Sequence, residues 1–150
     1  MNEKQYVVFK LEQEYYGLDI MHVKEISEFE KCNKIPHTPS YIEGILNYRG
    51  VVTPLINLRK KFCMPVKKNE SESQIIIINL EDKQLGFLVD EAFQILTINQ
   101  NLIEPSPKIL ETNSNKFIEG VAKMQEWMVI LLDIKKILSE NEKKTIFEIQ

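Results

Sequence analysis

The chain has 150 residues and a formal net charge of −3, from 19 Lys and Arg against 22 Asp and Glu. That balance excludes a typical nucleic-acid binder, which needs a basic stripe to displace counterions. With 43% apolar and 27% charged residues the composition is that of an ordinary folded domain, long enough for one domain or for two small units sharing a core.

Cys32 and Cys63 have no CxxC or Cys/His spacing around them. Neither a disulfide framework nor a zinc signature is present, and the reading is two free, semi-buried thiols in a reducing cytoplasm. The opening MNEKQYVVF lacks a signal-peptide pattern, and no run of about 18 apolar residues exists to span a membrane. A cytoplasmic protein without direct membrane insertion is expected.

In chain order, residues 5–11 (QYVVFKL) are β-branched and aromatic and predict a strand. Glu12-Gln13-Glu14 makes a polar turn, and residues 15–20 return as the hairpin partner. Gly17 inside that partner marks a bulge or a close backbone approach. Residues 21–24 fit one helical turn before 25–29 resume the extended pattern. Thr38-Pro39 has the form of an N-cap followed by proline at the first helical position, with Gly44 placed to stop the short helix. Residues 45–48 and 51–56 are two short strands joined through Arg49-Gly50, which puts Arg49 at an exposed hairpin tip beside Tyr48. Pro54 assigns its strand to an edge or a barrel rim. Asn57 then caps a short helix over 58–62.

Residues 65–73 (PVKKNESES) form a polar loop. Residues 74–80 carry four consecutive isoleucines, a run that suits a strand buried on both faces. Glu81-Asp82-Lys83 turns the chain, 85–89 return to Asp90, and 93–98 predict another strand. Residues 99–115, with Pro105 and Pro107, are too long to be only a connector. Residues 117–132 repeat the turn and hairpin, and 133–142 predict one helix capped by Asp133, with Ile134, Ile137 and Leu138 on one face.

The repetition is internal. Residues 41–62 (YIEGILNYRGVVTPLINLRKKF) recur as 117–138 (FIEGVAKMQEWMVILLDIKKIL), an offset of 76, so that Gly44 falls on Gly120, Leu55 on Leu131, Arg59 on Lys135 and Lys60 on Lys136. Residues 7–26 match 76–95 at an offset of 69, with Gly17 on Gly86. Two matched segments in the same order, each with a matched glycine, point to duplication. The expected fold is all-β with short helices: a pair of small barrels in a single domain over 1–150, with repeat halves near 5–64 and 74–140. Neither half has the length for a comfortable core, so the two should pack together, and exchange of strands between the barrels is open to them.

A catalytic constellation does not emerge. His22 and His37 share no ligand spacing, and no GxSxG, HExxH or P-loop is present. The Asp19, Asp90 and Asp133 carboxylates suit strand ends and caps, Trp127 suits burial between the halves, and the run Arg59-Lys60-Lys61 reads as solvated surface. A non-enzymatic binding module without cofactor or metal remains.

Tyr16-Gly17-Leu18-Asp19-Ile20 with Val23-Lys24-Glu25-Ile26, then Gly44-Ile45-Leu46-Asn47-Tyr48-Arg49-Gly50 with Pro54 and Leu58-Arg59, then Gly86-Phe87-Leu88-Val89-Asp90 and Leu131-Leu132-Asp133-Ile134 occur in that order. This set resembles the CheW family, the coupling proteins of bacterial chemotaxis, over roughly residues 5–140. The resemblance implies two packed five-stranded barrels, SH3- or OB-like, and a non-catalytic scaffold that links the cytoplasmic domains of methyl-accepting chemoreceptors to the regulatory domain of the histidine kinase CheA. By motif position it implies protein contacts at Val23, Glu25, Ile26, Glu43 and Arg49. Tyr48 stands where the family usually has Leu, and Asn57 where it usually has Asp. A scaffold of a non-flagellar chemosensory system and an oligonucleotide-binding barrel are the alternatives; the charge balance offers the second little support.

Overall fold

The computed structural model describes residues 2–105 and 116–149. The β-branched and aromatic runs form β1 (Glu3–Leu11) and β2 (Glu14–Asp19), a 3₁₀ turn over Ile20–His22, β3 (Val23–Glu28), β4 (Ile42–Tyr48) and β5 (Val51–Asn57). α1 (Leu58–Lys61) closes this part of the chain, and β6 (Gln74–Leu80), β7 (Lys83–Val89) and β8 (Glu91–Asn99) follow. A second 3₁₀ turn over Gln100–Leu102 leads to β9 (Ile103–Pro105), then β10 (Ile118–Lys123), β11 (Met128–Leu132), α2 (Ile134–Ile137) and α3 (Glu140–Phe147). The fold is mostly β with short helices, in two packed sheets.

A six-stranded sheet has the order β8-β1-β2-β11-β10-β9, and a five-stranded sheet the order β3-β6-β7-β5-β4. The six-stranded sheet combines strands from both ends of the chain, whereas the five-stranded sheet is built from the consecutive strands β3 to β7. The β1–β2 hairpin joins the six-stranded sheet through a parallel ladder in which Leu131 of β11 faces Gly17. The β6–β7 hairpin joins the five-stranded sheet through a parallel ladder in which Leu55 of β5 faces Gly86. A Cβ on Gly17 would stand 2.9 Å from a Leu131 methyl, and one on Gly86 3.3 Å from a Leu55 methyl. The matched glycines thus clear space for side chains of the neighbouring strands, Leu131 at Gly17 and Leu55 together with Ile75 at Gly86. No bulge occurs at Gly17; the close approach comes from a side chain.

Both sheets curl until their ends meet. The Gln100–Leu102 turn carries the chain directly from β8 to β9, the two ends of the six-stranded sheet. In the other sheet Asn33, just beyond β3, donates its N–H to the Ile45 carbonyl at 2.9 Å and accepts from Ile45 N–H at 2.8 Å. Gly44 sits at that seam with φ +151°, and a Cβ there would fall 2.2 Å from the Asn33 carbonyl oxygen. Gly120 holds the corresponding seam, 2.7 Å from the Glu104 carbonyl oxygen by the same construction.

The apolar residues sort into three cores. Between the sheets lie Val7, Phe9 and Leu11 of β1 with Ile76, Ile78, Phe87 and Val89 of the other sheet, covered by Ile137 and Ile146 from the helices. Inside the six-stranded sheet are Tyr6, Val8, Ala122, Val129 and Leu131. Inside the five-stranded one are Leu46, Tyr48, Leu55, Ile75, Ile77 and Leu88. The isoleucine run therefore feeds two cores alternately, because successive side chains leave a strand on opposite faces. None of Ile75, Ile76, Ile77 and Ile78 is more than 1% exposed.

Several expectations need correction. The residues after Thr38 make a turn, with Ile42 N–H donating to the Pro39 carbonyl at 3.0 Å, because the Thr38 hydroxyl donates back to the Ile35 carbonyl and caps no helix. Gly44 lies within β4 and does not terminate a helix. Pro54 occupies an internal strand. Its partner Ile45 gives both backbone groups to Asn33, and the parallel ladder to β7 starts only at Leu55, so no ladder needs the missing N–H. The predicted helix over 133–142 is two: Leu138 is extended, and Ser139 with Glu142 forms a reciprocal capping box that starts α3. Trp127 is half-buried, edge-on to Tyr15 at 4.9 Å, within the six-stranded sheet. Cys63 is exposed; only Cys32 is partly buried. The expectation for residues 106–115 lies outside the described residues.

The Gly44 seam gives a direct test. Gly44→Ala must displace backbone atoms and should cost about 2–4 kcal/mol in urea unfolding. Gly50→Ala, at φ +82° with nothing within 4 Å of its Cβ, should cost only about 1 kcal/mol.

Candidate protein-interaction surfaces

The β4–β5 hairpin turns through two residues between the paired Tyr48 and Val51. Arg49 has φ +52° and Gly50 φ +82°, the two left-handed conformations of a type I′ turn. The Asn47 side-chain oxygen accepts Gly50 N–H at 3.0 Å and holds the turn. Arg49 is thereby thrust outward, yet it is not loose. Its Nη2 lies 2.8 Å from Glu25 Oε1 of β3, with side chains 71% and 36% exposed. Its guanidinium also sits 5.6 Å from the centre of the Tyr48 ring. Burial pushes the Tyr48 phenol above its ordinary pKa; the Glu25 carboxylate adds to the shift and Arg49 opposes it.

A bulge between Val23 and Glu25 sets the faces of β3. Val23 packs partly against the shared core, Glu25 is half-buried toward Arg49, and Ile26 points outward at 38% exposure. Val51 and Val52 add further exposed apolar surface beside the turn, at 42% and 44%. Val23, Glu25, Ile26 and Arg49 thus belong to one edge. Glu43 does not join them, because it starts β4 while Arg49 follows its other end, about 20 Å away by strand rise. Its carboxylate accepts from Asn57 Nδ2 at 2.9 Å and lies 2.8 Å from Lys60 Nζ.

The run Arg59-Lys60-Lys61 is not solvated surface. Arg59 makes a two-pronged pair with Asp90, Nε to Oδ1 at 2.8 Å and Nη2 to Oδ2, with side chains 15% and 14% exposed. Asp90 also accepts Glu12 N–H at 2.8 Å, and Arg59 donates to the Pro65 carbonyl at 3.0 Å. Lys60 pairs with Glu43, and Lys61 with Glu142 of α3 at 3.1 Å. Three consecutive cations thus tie α1 to three other segments. Sequence reasoning missed these ties because their partners lie far along the chain. The one available hint was Asn57, which caps α1 by accepting Lys60 N–H and so fixes where the three side chains leave the backbone.

Among the described residues no group of three or more His, Cys, Asp or Glu could hold a metal ion, and no helix is long and apolar enough to cross a membrane. Burial and the nearby Glu43 raise the pKa of the Cys32 thiol.

A family model described as the CheW-like domain matches residues 5–142. The chain belongs to the CheW family. The chemotaxis protein CheW of Treponema pallidum is 34% identical over 95% of this chain and 87% of its own length. The chemotaxis protein CheW of Klebsiella aerogenes is 33% identical over 93% of this chain and 84% of its own. The crystal structure of the scaffolding protein TtCheW from Thermoanaerobacter tengcongensis superposes with a TM-score of 0.83 at 37% identity, covering 93% of this chain and 95% of that one. CheW-family membership places the protein among chemotaxis scaffolds.

Removing one partner of the Arg59–Asp90 pair strands a largely buried charge. Asp90→Ala should lose about 2–4 kcal/mol in chemical unfolding, and Arg59→Met/Asp90→Leu together should lose less than the sum of the single changes.

Proposed function

We propose that this chain is a non-catalytic chemotaxis adaptor that couples the cytoplasmic domains of chemoreceptors to the regulatory domain of the histidine kinase CheA, within cytoplasmic arrays held at the membrane by the receptors. The observation that carries the proposal is the edge formed by Glu25 and Arg49. It presents an oriented guanidinium beside a carboxylate, with exposed apolar Ile26 next to Glu25 on β3 and exposed Val51 and Val52 next to the turn. Such a mixture suits an interface: apolar contacts supply burial, and an arginine already positioned over Tyr48 loses little freedom when a partner carboxylate engages it.

Val23, Glu25, Ile26 and Arg49 supply the contact in this reading. Glu43 supports it from the other end of β4, holding the Asn57 cap and Lys60 in place.

Co-purification with a CheA regulatory domain and with a receptor cytoplasmic fragment, each tested alone, examines the proposal. Arg49→Ala should weaken at least one of the two associations about tenfold or more while leaving the thermal transition in place. Binding to neither partner, or unfolding of Arg49→Ala, would refute it. Glu43→Ala should instead act mainly by lowering the unfolding midpoint.

A further inference from the structure

At the end of β5 remote from Arg49, α1, α2 and the chain around Phe117 border two hollows of about 550 and 450 Å3 that share Lys61 and Phe117 in their walls. They form one groove. On its floor the Phe62 and Phe117 rings stack at 4.5 Å and 10°. Ile130 extends the apolar surface in one hollow, Ile137 and Leu138 in the other. The rim is mostly cationic, with Lys61, Lys116, Lys135 and Lys136 against Glu140 and Glu142.

The two acids are already engaged. Glu142 binds Lys61 at 3.1 Å, and Glu140 binds Lys143 at 3.3 Å. Among the described residues Lys136 reaches only the Asp133 carboxylate, at 3.9 Å, with its side chain 65% exposed. Lys135 and Lys116 are exposed and have no carboxylate in ion-pair reach among the described residues.

The internal repeat supplies a control. Lys135 and Lys136 stand where the first repeat has Arg59 and Lys60, and those two are taken up by Asp90 and Glu43. Glu119 corresponds to Glu43, but the pair it could form with Lys136 is not made; Asp133 holds that lysine weakly instead. The first repeat turns its cations inward. The second leaves them beside an apolar groove.

We infer that this groove docks an amphipathic helix of another protein, acidic along one flank. Apolar side chains at i and i+4 of a helix lie about 6 Å apart on one face, a ridge that suits an apolar floor lined by Phe62, Phe117, Ile130, Ile137 and Leu138. Glu or Asp beside them meets Lys116, Lys135 and Lys136. A recessed floor accepts a ridge of side chains and leaves a flat bilayer out of reach of the aromatic pair. This surface lies apart from the edge carrying Glu25 and Arg49, so the inference does not rest on the adaptor reading.

The test uses the full chain and a fluorescein-labelled helical peptide with leucines at i and i+4 and glutamates on the flanks, followed by anisotropy. Saturable binding that weakens as salt rises is expected. Lys135→Glu/Lys136→Glu should reduce affinity about tenfold or more without moving the thermal transition, since both side chains are exposed. Arg49→Ala should bind the peptide as the parent does. Several results would overturn the inference: no saturable binding, equal binding of a peptide with lysines in place of glutamates, unchanged affinity in the charge-reversed variant, or loss of binding in Arg49→Ala. Cosedimentation with phosphatidylglycerol vesicles in place of peptide binding would assign the groove to a lipid surface and likewise overturn it.

Discussion

The two parallel junctions, β2 against β11 and β7 against β5, are the constraint on which the rest of the molecule depends. At each, a glycine faces a leucine of the adjoining strand, and the absent Cβ lets that leucine fill the interior of its sheet. A parallel pair cannot be made by a hairpin, so each junction draws together segments far apart in the chain. The β1–β2 hairpin is thereby built into a sheet with β8 to β11, and the β6–β7 hairpin into one with β3 to β5. Both faces of β6 and β7 become interior.

Once the sheets are committed in this way, their ends must be closed and their surface charges arranged. Gly44 and Gly120 serve the first need at equivalent seams, where backbone meets backbone too closely for a side chain. The second is met unevenly. In the first repeat Arg59, Lys60 and Lys61 reach Asp90, Glu43 and Glu142 and tie α1 to β7–β8, β4 and α3. Of their counterparts in α2, Lys135 and Lys136 are exposed, while Ile137 stands in place of Lys61 and is buried. The two matched segments thus differ in their charges while sharing their packing glycines, since burial penalises any change of shape and solvent tolerates a change of partner.

The contrast also separates the buried framework from its exposed edges. The shared core is assembled from branched aliphatic and aromatic side chains with little exposure, and it holds β3 and the β4–β5 turn as rigid edges. Rigid edges are where an adaptor gains most, because partners need not wait for a loop to order itself. Arg49 shows how this is done: a left-handed backbone, an aromatic ring beneath and a carboxylate beside it leave the side chain exposed and already oriented.

Much of this was legible from local pattern. The four isoleucines announced a strand without a wet face, Arg49-Gly50 a hairpin tip, and Asn57 and Asp133 the caps that the structure contains, because each follows from the periodicity or dihedral preferences of a few neighbouring residues. Even the capping box that divides α2 from α3 was written in Ser139 and Glu142 and was overlooked beneath the apolar spacing of Ile134, Ile137 and Leu138. The matched glycines marked where something must come close, without saying what. Only the tertiary structure supplied the leucine facing each one, the Asn33 seam that excuses Pro54 from an edge, and the distant carboxylates that claim Arg59, Lys60 and Lys61. It also set Glu25 beside Arg49 and left Glu43 apart from both. Those outcomes depend on which segments meet across long stretches of chain, and that is decided by the joint burial of all the strands together, a quantity that no short window of residues contains.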